Sequence, residues 1–398
     1  MMFHLLPQRC IEGCTRASRR YLAVLVALFF LGACSSTLEE REEKGKAFPL
    51  PDYERKVDVS INWSRSIGSG QGNRYARLSP VRHGDRLCAA SYDGAVGCYQ
   101  LDGKKLWKTK IKGNILAATG VDDNSVFVVD ADGWLIALAA EDGAEVWRKA
   151  LESEVLAAPV VSGERIVVQN SEGIVRGLNL QGELAWEYKS DAPLLTLRGT
   201  ATPVIRNGVV YCGFGNGKIV ALSLLTGEPL WDQPVAIASG TAEIERLVDV
   251  DASPLVTERA VYAASYNGNL FKFERVRGRP QWRTEFSTYR GLDRGFTNIY
   301  AVDEKSRLLG FSEEDGDQRW ENSLLLNRGL SDPVVFAGYV IAVDDEGYLH
   351  VFSQVDGELV GRHKIGGNGV RVPPIVYDNS LFLYTNSGSL LSLNLSVR

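Results

Sequence analysis

The most regular feature of this chain is an alternation of apolar and polar residues that is interrupted by glycine turns. Short β-branched and aromatic runs flank Asp93-Gly94 and Asp132-Gly133. Such pairs predict β-hairpins, because both residues tolerate the positive φ of tight turns. Comparable turns follow along the chain at Glu172-Gly173, Asn216-Gly217, Asn267-Gly268, Lys305-Ser306, Glu346-Gly347 and Ser387-Gly388.

A second marker repeats with these turns, a glycine followed by three residues and a tryptophan. The turns at 93 and 387 are 294 residues apart over seven intervals, so the mean period is 42 residues. Forty-odd residues with four short strands are typical of one propeller blade. The glycine and tryptophan pairs are Gly103/Trp107, Gly143/Trp147, Gly182/Trp186, Gly227/Trp231, Gly278/Trp282 and Gly316/Trp320, and Gly361 stands where tryptophan would follow Gly357.

The number of strands predicts how the ring closes. Eight hairpin turns are followed by only seven Trp-type strand positions, so the last blade lacks one strand. The segment 61–67, which contains Trp63, can supply it and hide two open sheet edges. The sequence therefore predicts an all-β fold over residues 59–398, an eight-bladed β-propeller of four-stranded blades whose ring is closed by the N-terminal strand joining the C-terminal blade.

The first 33 residues have the pattern of a lipoprotein signal peptide. Arginines at 16, 19 and 20 precede an apolar stretch, 21–30, that is too short to span a bilayer. The stretch ends in Leu-Gly-Ala before Cys34, which resembles a bacterial lipobox, so Cys34 is predicted to carry a stable lipid anchor. Ser35 and Ser36 imply, by resemblance to sorted lipoproteins, the periplasmic face of the outer membrane. The alternative is an ordinary signal peptide or a buried helix, followed by a chance cysteine.

Residues 34–58 are predicted to be the lipidated cysteine and a flexible tether. They contain the charged run 39–44 and two prolines, and they have no apolar periodicity. Without residues 1–33 the chain has 40 basic and 48 acidic residues, a net charge of −8. This acidic balance argues against nucleic acid as a partner.

Residues that could carry chemistry are few. The histidines after the signal peptide, His83, His350 and His363, have no metal-like spacing. Cys88 and Cys98 flank one hairpin turn almost symmetrically, so either a disulfide, which an oxidising compartment allows, or two small buried strand residues would fit. The sequence therefore predicts no catalytic site, no metal site and no cofactor, which is the pattern of a non-enzyme.

Two connections between blades are longer than the fold requires. The chain takes 17 residues from Trp186 to Pro203 and 23 from Trp231 to Pro254, whereas the shortest connection takes 10. Binding residues concentrate in loops that depart from the minimal scaffold. Because such connections leave the same face of a propeller, we expect these two loops to be neighbours.

We call the two insertions, 190–200 and 235–252, the loop patch. Its leucines, arginine and carboxylates are typical of a protein–protein contact. The alternative is that Leu195 and Leu197 cover the neighbouring blade and that Arg198 pairs locally with Asp249 or Asp251.

The lipobox, the Trp repeat and the loop sequences LLTLRG at 194–199 and ERLVDVD at 245–251 together resemble the BamB family of the outer-membrane β-barrel assembly machinery. The resemblance extends from Cys34 to the C-terminus, and the chain departs from it at Gly361 and at the turn 305–306. It implies a non-enzymatic scaffold lipoprotein that binds the periplasmic POTRA domains of BamA and assists folding and insertion of β-barrel proteins. Unfolded outer-membrane proteins are implied clients. The implied contact residues are Leu195, Leu197, Arg198, Asp249 and Asp251.

Two other functions share this architecture. A periplasmic ligand- or polymer-binding propeller would use its central channel. A dehydrogenase dependent on pyrroloquinoline quinone (PQQ) resembles the chain in its Trp repeat, but such enzymes carry adjacent cysteines and acidic calcium ligands near the axis. This sequence has no adjacent cysteines.

Overall fold

The computed structural model describes residues 45–71, 76–191, 201–237 and 247–398. The chain divides into two compact units, 1–48 and 49–398. In the first unit, the described residues 45–48 form a turn and a bend. In the second, the described residues form strands and no helix. None of the described residues belongs to a helix long and apolar enough to cross a membrane.

Each of the first four blades contains four consecutive antiparallel strands. Blade one contains β3 (Val81–His83), β4 (Arg86–Ala90), β5 (Ala95–Gln100) and β6 (Lys105–Lys110). Blade two contains β7 (Ile115–Val121), β8 (Ser125–Asp130), β9 (Trp134–Ala139) and β10 (Glu145–Ala150), and the short β2 (Arg77–Leu78) pairs with β7 in parallel. Blade three contains β11 (Val160–Ser162), β12 (Arg165–Gln169), β13 (Ile174–Leu178) and β14 (Leu184–Lys189). Blade four contains β15 (Val204–Arg206), β16 (Val209–Gly213), β17 (Lys218–Ser223) and β18 (Pro229–Pro234).

The remaining blades repeat the plan, and the last one draws on both chain ends. Blade five contains β19 (Leu255–Val256), β20 (Ala260–Ala264), β21 (Asn269–Glu274) and β22 (Pro280–Glu285). Blade six contains β23 (Asp293–Gly295), β24 (Asn298–Val302), β25 (Leu308–Ser312) and β26 (Gln318–Asn322). Blade seven contains β27 (Val334–Phe336), β28 (Tyr339–Val343), β29 (Tyr348–Ser353) and β30 (Leu359–Lys364). Blade eight contains β31 (Ile375–Tyr377), β32 (Ser380–Tyr384), β33 (Ser389–Val397) and β1 (Val57–Ser66).

The predicted fold and ring closure are confirmed. β1 pairs antiparallel with β33, from Val57 opposite Val397 to Ser66 opposite Ser389. The compact unit begins at Pro49, before the predicted propeller boundary at residue 59, because Leu50 and Tyr53 pack on blades six and seven and β1 begins at Val57. The predicted signal peptide, residues 1–33, and Cys34 lie outside the described residues.

Burial follows the position of each strand in its blade. Second and third strands are buried on both faces, as in β8, because neighbouring blades cover them. First strands of successive blades approach one another around the axis, as β11 approaches β7 and β15. Hairpin turns between second and third strands lie on the same face of the ring as the connections between blades. We call this the loop face.

The repeated tryptophan joins one blade to the next. The Trp107 indole Nε1 donates to the Ala140 carbonyl of blade two at 2.8 Å, and the ring lies against Gly143. Gly143 has a φ of 77°, and a Cβ there would collide with the indole, so both the turn and the contact require glycine. The same contact joins Trp63 to Gly103, Trp147 to Gly182, Trp186 to Gly227, Trp231 to Gly278, Trp282 to Gly316 and Trp320 to Gly357.

Every outer strand carries a register irregularity beside the repeat position. In blade two it falls between Glu145 and Trp147, and in blade eight between Ile61 and Trp63. Bulges twist an edge strand and interrupt its row of free N–H and C=O groups. The outer edges of the blades are therefore poor templates for pairing with another strand.

The two cysteines whose pairing the sequence left open form a disulfide. Cys88 in β4 and Cys98 in β5 lie directly opposite each other, with Cα atoms 4.1 Å apart, and both are fully buried. Cys212 is a buried free thiol whose pKa is raised by burial. It is a packed core residue rather than a reactive nucleophile.

Candidate partner-binding surface

The predicted contact residues fall on both sides of the boundary of the described regions. Leu195, Leu197 and Arg198 lie in 192–200, outside the described residues. Asp249 and Asp251 are described, and they belong to the segment 247–252 that returns from the second loop to blade five. We call this segment the returning arm.

The first loop leaves blade three against the hairpin turn of blade four. The side-chain amide of Asn216 donates to Ser190 Oγ at 3.1 Å and to the Asp191 carbonyl at 2.8 Å. Asn216 also orders its own turn, since its Oδ1 accepts from the Lys218 N–H at 3.2 Å. One asparagine therefore fixes both the turn and the start of the loop.

The second loop is anchored on the same turn. The N–H groups of Val235 and Ala236 donate to the Gly217 carbonyl at 2.8 and 3.1 Å. On the way back, the Val250 N–H donates to the Phe214 carbonyl at 3.1 Å. The stems of both loops thus contact the four-residue turn 214–217 and lie side by side on the loop face.

The outgoing stem of the second loop exposes a large apolar side chain. Val235 and Ala236 are buried, but the next residue, Ile237, is 80 % exposed. Nothing in the sequence pattern singles out Ile237, because an apolar residue at the end of an outer strand is common. Single exposed apolar residues are common on protein surfaces, so it is the position of Ile237 beside two long loops that makes it a candidate contact residue.

The returning arm is buried between two hairpin turns. The Leu247 carbonyl accepts from Asn267 Nδ2 at 3.2 Å, and the Asp249 carbonyl accepts from the Tyr266 N–H at 3.0 Å, both on the turn of blade five. On the other side, Val250 packs so closely on Gly213 of blade four that a Cβ there would collide with its carbonyl. This fit makes the arm a rigid support for the part of the loop that it carries.

Both predicted carboxylates lie inside this support. Asp249 is fully buried and Asp251 nearly so. Burial, followed by the charge of Asp249, raises the pKa of Asp251 to about 7, against the opposing effect of Arg77. Arg77 also donates from Nη1 to the Asp251 carbonyl at 3.3 Å. The two aspartates therefore belong to the buried base of the loop patch, and their contact with a partner stays a prediction.

A surface groove of about 980 Å³ continues the loop face from the returning arm. Asn267, which holds the Leu247 carbonyl, lies at one end of it, and Lys305 and Arg307 of blade six line the far side. Phe286 and Phe311 form its apolar floor, and Glu285 and Asp303 add carboxylates. A partner seated on the loop patch has room to extend over blades five and six.

The histidines have structural surroundings. His83 is partly exposed, and its Nε2 lies 2.8 Å from Asp123 Oδ1. His350 is fully buried, its Nε2 lies 3.0 Å from Asp344 Oδ2, and burial lowers its pKa. Within 45–71, 76–191, 201–237 and 247–398, no three His, Cys, Asp or Glu side chains are grouped so that they could hold a metal ion.

A family model, a curated relative and a solved structure that are similar to this chain all carry the same name. The family model described as outer membrane protein assembly factor BamB matches residues 93–322 and 304–396. A relative in Pseudomonas aeruginosa, named outer membrane protein assembly factor BamB, is 37 % identical over 375 residues, which cover 94 % of this chain and 98 % of the relative. The crystal structure of BamB from Moraxella catarrhalis aligns with a TM-score of 0.77 and 28 % identity, covering 85 % of this chain and 100 % of that one.

Quinoproteins share the fold at much lower sequence similarity. The quinohemoprotein alcohol dehydrogenase of Comamonas testosteroni aligns with a TM-score of 0.68 and 13 % identity, covering 85 % of this chain and 76 % of that enzyme. A likeness at that identity concerns architecture alone. Because the family model matches most of the propeller and the Pseudomonas relative matches nearly the whole chain, this chain belongs to the outer membrane protein assembly factor BamB family.

Proposed function

We propose that this chain is a non-enzymatic scaffold of outer-membrane protein assembly, anchored by lipid at Cys34 to the periplasmic face of the outer membrane. Its partner is the periplasmic POTRA region of BamA, and it assists the folding and insertion of β-barrel proteins. Support comes from its family, whose members are named as outer membrane protein assembly factors.

The observation that carries the partner assignment is the shared anchorage of two long loops. Both stems are hydrogen-bonded to the turn 214–217, and Ile237 projects into solvent beside them. A rigid base with an exposed aliphatic residue suits a protein interface, because little ordering entropy is lost on binding.

The predicted contact residues divide into two roles within this proposal. Leu195, Leu197 and Arg198 contact the partner directly, together with Ile237. Asp249 and Asp251 act from beneath, because their side chains are buried in the returning arm, whose backbone hydrogen bonds hold the patch in position. Loss of either carboxylate would change the patch without removing a direct contact.

Unfolded outer-membrane proteins are the clients of such a scaffold. Addition of a client strand to a blade edge is one conceivable contact. The register irregularity in every outer strand opposes it, since a regular ladder cannot extend past a bulge. We therefore propose that unfolded clients contact the assembly complex that the scaffold organises and do not pair with the blade edges of the scaffold itself.

Co-purification from detergent-solubilised membranes tests the partner assignment. Wild type, Arg198→Glu and Ile237→Glu would be compared, with BamA measured by mass spectrometry. The matched control is Leu225→Glu, which places the same charge on an exposed leucine in the turn between the third and fourth strands of blade four, on the opposite face. We expect BamA with wild type and control and at least a tenfold loss with both patch variants. Unchanged recovery with both patch variants, in folded protein, would refute the assignment.

The lipid anchor has a separate test. Metabolic labelling with a radioactive fatty acid should mark the wild-type protein and leave a Cys34→Ala variant unlabelled, because the acyl chains require that thiol. Equal labelling of both proteins would place the lipid elsewhere and contradict this part of the proposal.

A further inference from the structure

A cavity of about 340 Å³ lies on the propeller axis at the loop face, and nothing in the proposed scaffold role uses it. It is enclosed by the starts of the inner strands of blades four to eight and by the segment before blade one. Residues that represent these walls are Arg77, Val204, Leu255, Leu292, Asp332 and Pro374. Its volume is within the range of small-molecule sites.

The polar end of the cavity has unused hydrogen-bonding capacity. Asp332 is 4 % exposed, and its Oδ1 has no hydrogen-bond partner among the described residues. Its Oδ2 lies 3.5 Å from Arg77 Nη2, which is longer than the 2.7–2.9 Å typical of a tight guanidinium–carboxylate bond. A buried carboxylate oxygen without a hydrogen-bond donor is unfavourable. A ligand that donates to it would therefore gain binding free energy.

None of the other described lining residues donates a hydrogen bond to Asp332 Oδ1. Pro254, Pro333, Pro373 and Pro374 line the cavity, and proline has no N–H. Val204, Leu255, Leu292 and Val334 add aliphatic surface. Polar groups are added by Asp293, whose carboxylate already accepts from the Arg294 and Val335 N–H groups, and by the hydroxyls of Ser79, Thr202 and Ser253.

Gly291 keeps the carboxylate accessible. A Cβ at this position would lie 3.0 Å from Asp332 Oδ2 and would crowd it.

The two charged groups are arranged from the interior outwards. Asp332 is at the buried end, whereas the Arg77 side chain is 26 % exposed and so borders solvent. A ligand that satisfies both needs a donor at its inner end, an acceptor near Arg77 and an apolar body between the walls. An amine alone would leave Arg77 with only its long contacts to the Asp251 carbonyl and to Asp332, and a carboxylate alone would face Asp332.

We propose that the axial cavity binds an apolar amino acid or apolar dipeptide, with its ammonium group on Asp332, its carboxylate on Arg77 and its side chain against the prolines and aliphatic residues. This ligand class pairs each charge and fills the apolar walls. Ligand binding here is measured independently of partner binding at the loop patch, although Arg77 also donates to the Asp251 carbonyl of the returning arm.

Isothermal titration of the purified protein with four probes of similar hydrocarbon body tests the assignment. The probes are leucine, leucyl-leucine, isopentylamine and 4-methylpentanoate. We expect leucine or leucyl-leucine to bind with a Kd of about 1 mM or lower and the amine and the acid to bind at least tenfold more weakly. If neither zwitterion binds at about 1 mM, or if isopentylamine binds as well as both, the proposal is overturned.

Two variants locate the binding. Asp332→Asn keeps the shape and removes the buried charge, so the fold should be retained while affinity falls at least tenfold. Ser253→Leu fills the cavity from another blade and should abolish binding even if Asp332→Asn does not fold. The matched control, Asp123→Asn, removes a carboxylate from the opposite face and should bind as wild type. Affinity unchanged in both cavity variants would overturn the assignment.

Discussion

The junction between blades seven and eight is built differently from the other seven junctions. At each of the seven, a tryptophan in one outer strand packs on a glycine turn of the next blade, as Trp107 does on Gly143. Blade eight has no such turn, because its third strand ends at Val397 and its fourth begins at Val57. Blade seven correspondingly has Gly361 in the tryptophan position. We call this the closure junction.

The segment before β1 occupies the space at the closure junction. Its Lys56 N–H donates to the Val360 carbonyl at 2.9 Å, and Arg362 Nη2 donates to the Pro51 carbonyl at 2.9 Å. The Arg362 guanidinium also lies 4.8 Å from the centre of the Tyr53 ring. Leu50 and Tyr53 pack on the core cluster of blades six and seven.

This difference shows that the repeated tryptophan stabilises the contact between two neighbouring blades and is not needed within a single blade. Where the glycine turn is interrupted by the chain ends, a tryptophan would have no turn to cover. A glycine then admits the incoming segment, whose Val57 carbonyl would lie 3.0 Å from a Cβ at 361. The irregular repeat at Gly361 therefore marks the closure of the ring.

The largest expected effect is at a regular junction. Trp107→Ala should lower the free energy of unfolding by about 3–5 kcal/mol, because it leaves a cavity between two blades and an unpaired Ala140 carbonyl. Urea denaturation followed by far-ultraviolet circular dichroism measures it. The control is Trp134→Ala, since Trp134 is 37 % exposed and outside the repeat, and it should lose less than about 1 kcal/mol. Equal losses would contradict the special role of the junction.

A tryptophan at the closure junction should destabilise the protein. Gly361→Trp restores the repeat in sequence, yet it forces an indole into space held by the segment 50–57, and we expect a loss of about 1–3 kcal/mol from overpacking. Thermal and urea unfolding measure it. A stabilised Gly361→Trp protein would mean that the tryptophan belongs to the blade alone.

The closure junction should also respond to pH, since His350 lies beneath it beside Asp344 and Arg362. Burial lowers the pKa of His350, so the unfolded chain binds more protons below about pH 6.5 and stability falls as the pH falls. Between about pH 7.5 and about pH 5.5 we expect wild type to lose on the order of 1 kcal/mol relative to His350→Gln.

The comparison with His350→Gln is needed because Asp251 contributes the opposite slope. With its pKa raised to about 7, the folded state holds the extra proton, and stability rises as the pH falls. This contribution cancels between the two proteins. If the free energies of unfolding of the two proteins changed in parallel with pH, His350 would not be the source of the pH dependence.

The smallest expected effect is the coupling between the incoming segment and blade seven. A double-mutant cycle of Tyr53→Ala and Arg362→Ala should give a coupling energy of about 0.5–1 kcal/mol, the range for partly exposed cation–π pairs. Additive losses from the two substitutions would show that the segment lies on the blade without this contact.

Much of the fold could be predicted because the repeat is defined by local sequence patterns. The turns near Gly94 and Gly133 and the spacing to Trp107 and Trp147 depend on local backbone preference and period, both visible in sequence. The partner of each tryptophan was not visible, because Gly143 is 36 residues beyond Trp107 and meets it only after two blades have packed. The docking of Tyr53 on Arg362 leaves no periodic signal either.

The candidate site was predictable in position and less so in detail. Loop length correctly placed the two stems as neighbours, since both contact the turn at Asn216. Burial of Asp249 and Asp251 was not foreseen, because charged residues in a long loop are usually solvated, and only the glycine at 213 allows the returning arm to enter. Ile237 was hidden among ordinary strand-end residues.

Hydrogen exchange of the whole protein, with and without the periplasmic region of BamA, tests the central claim most directly. Partner binding at the loop patch should slow exchange of the Val235, Ala236 and Val250 amides, which bond to the turn of blade four, and should leave the Lys56 amide at the closure junction unchanged. Protection at Lys56 with no change around blade four would contradict the account and place the partner on the opposite side of the ring.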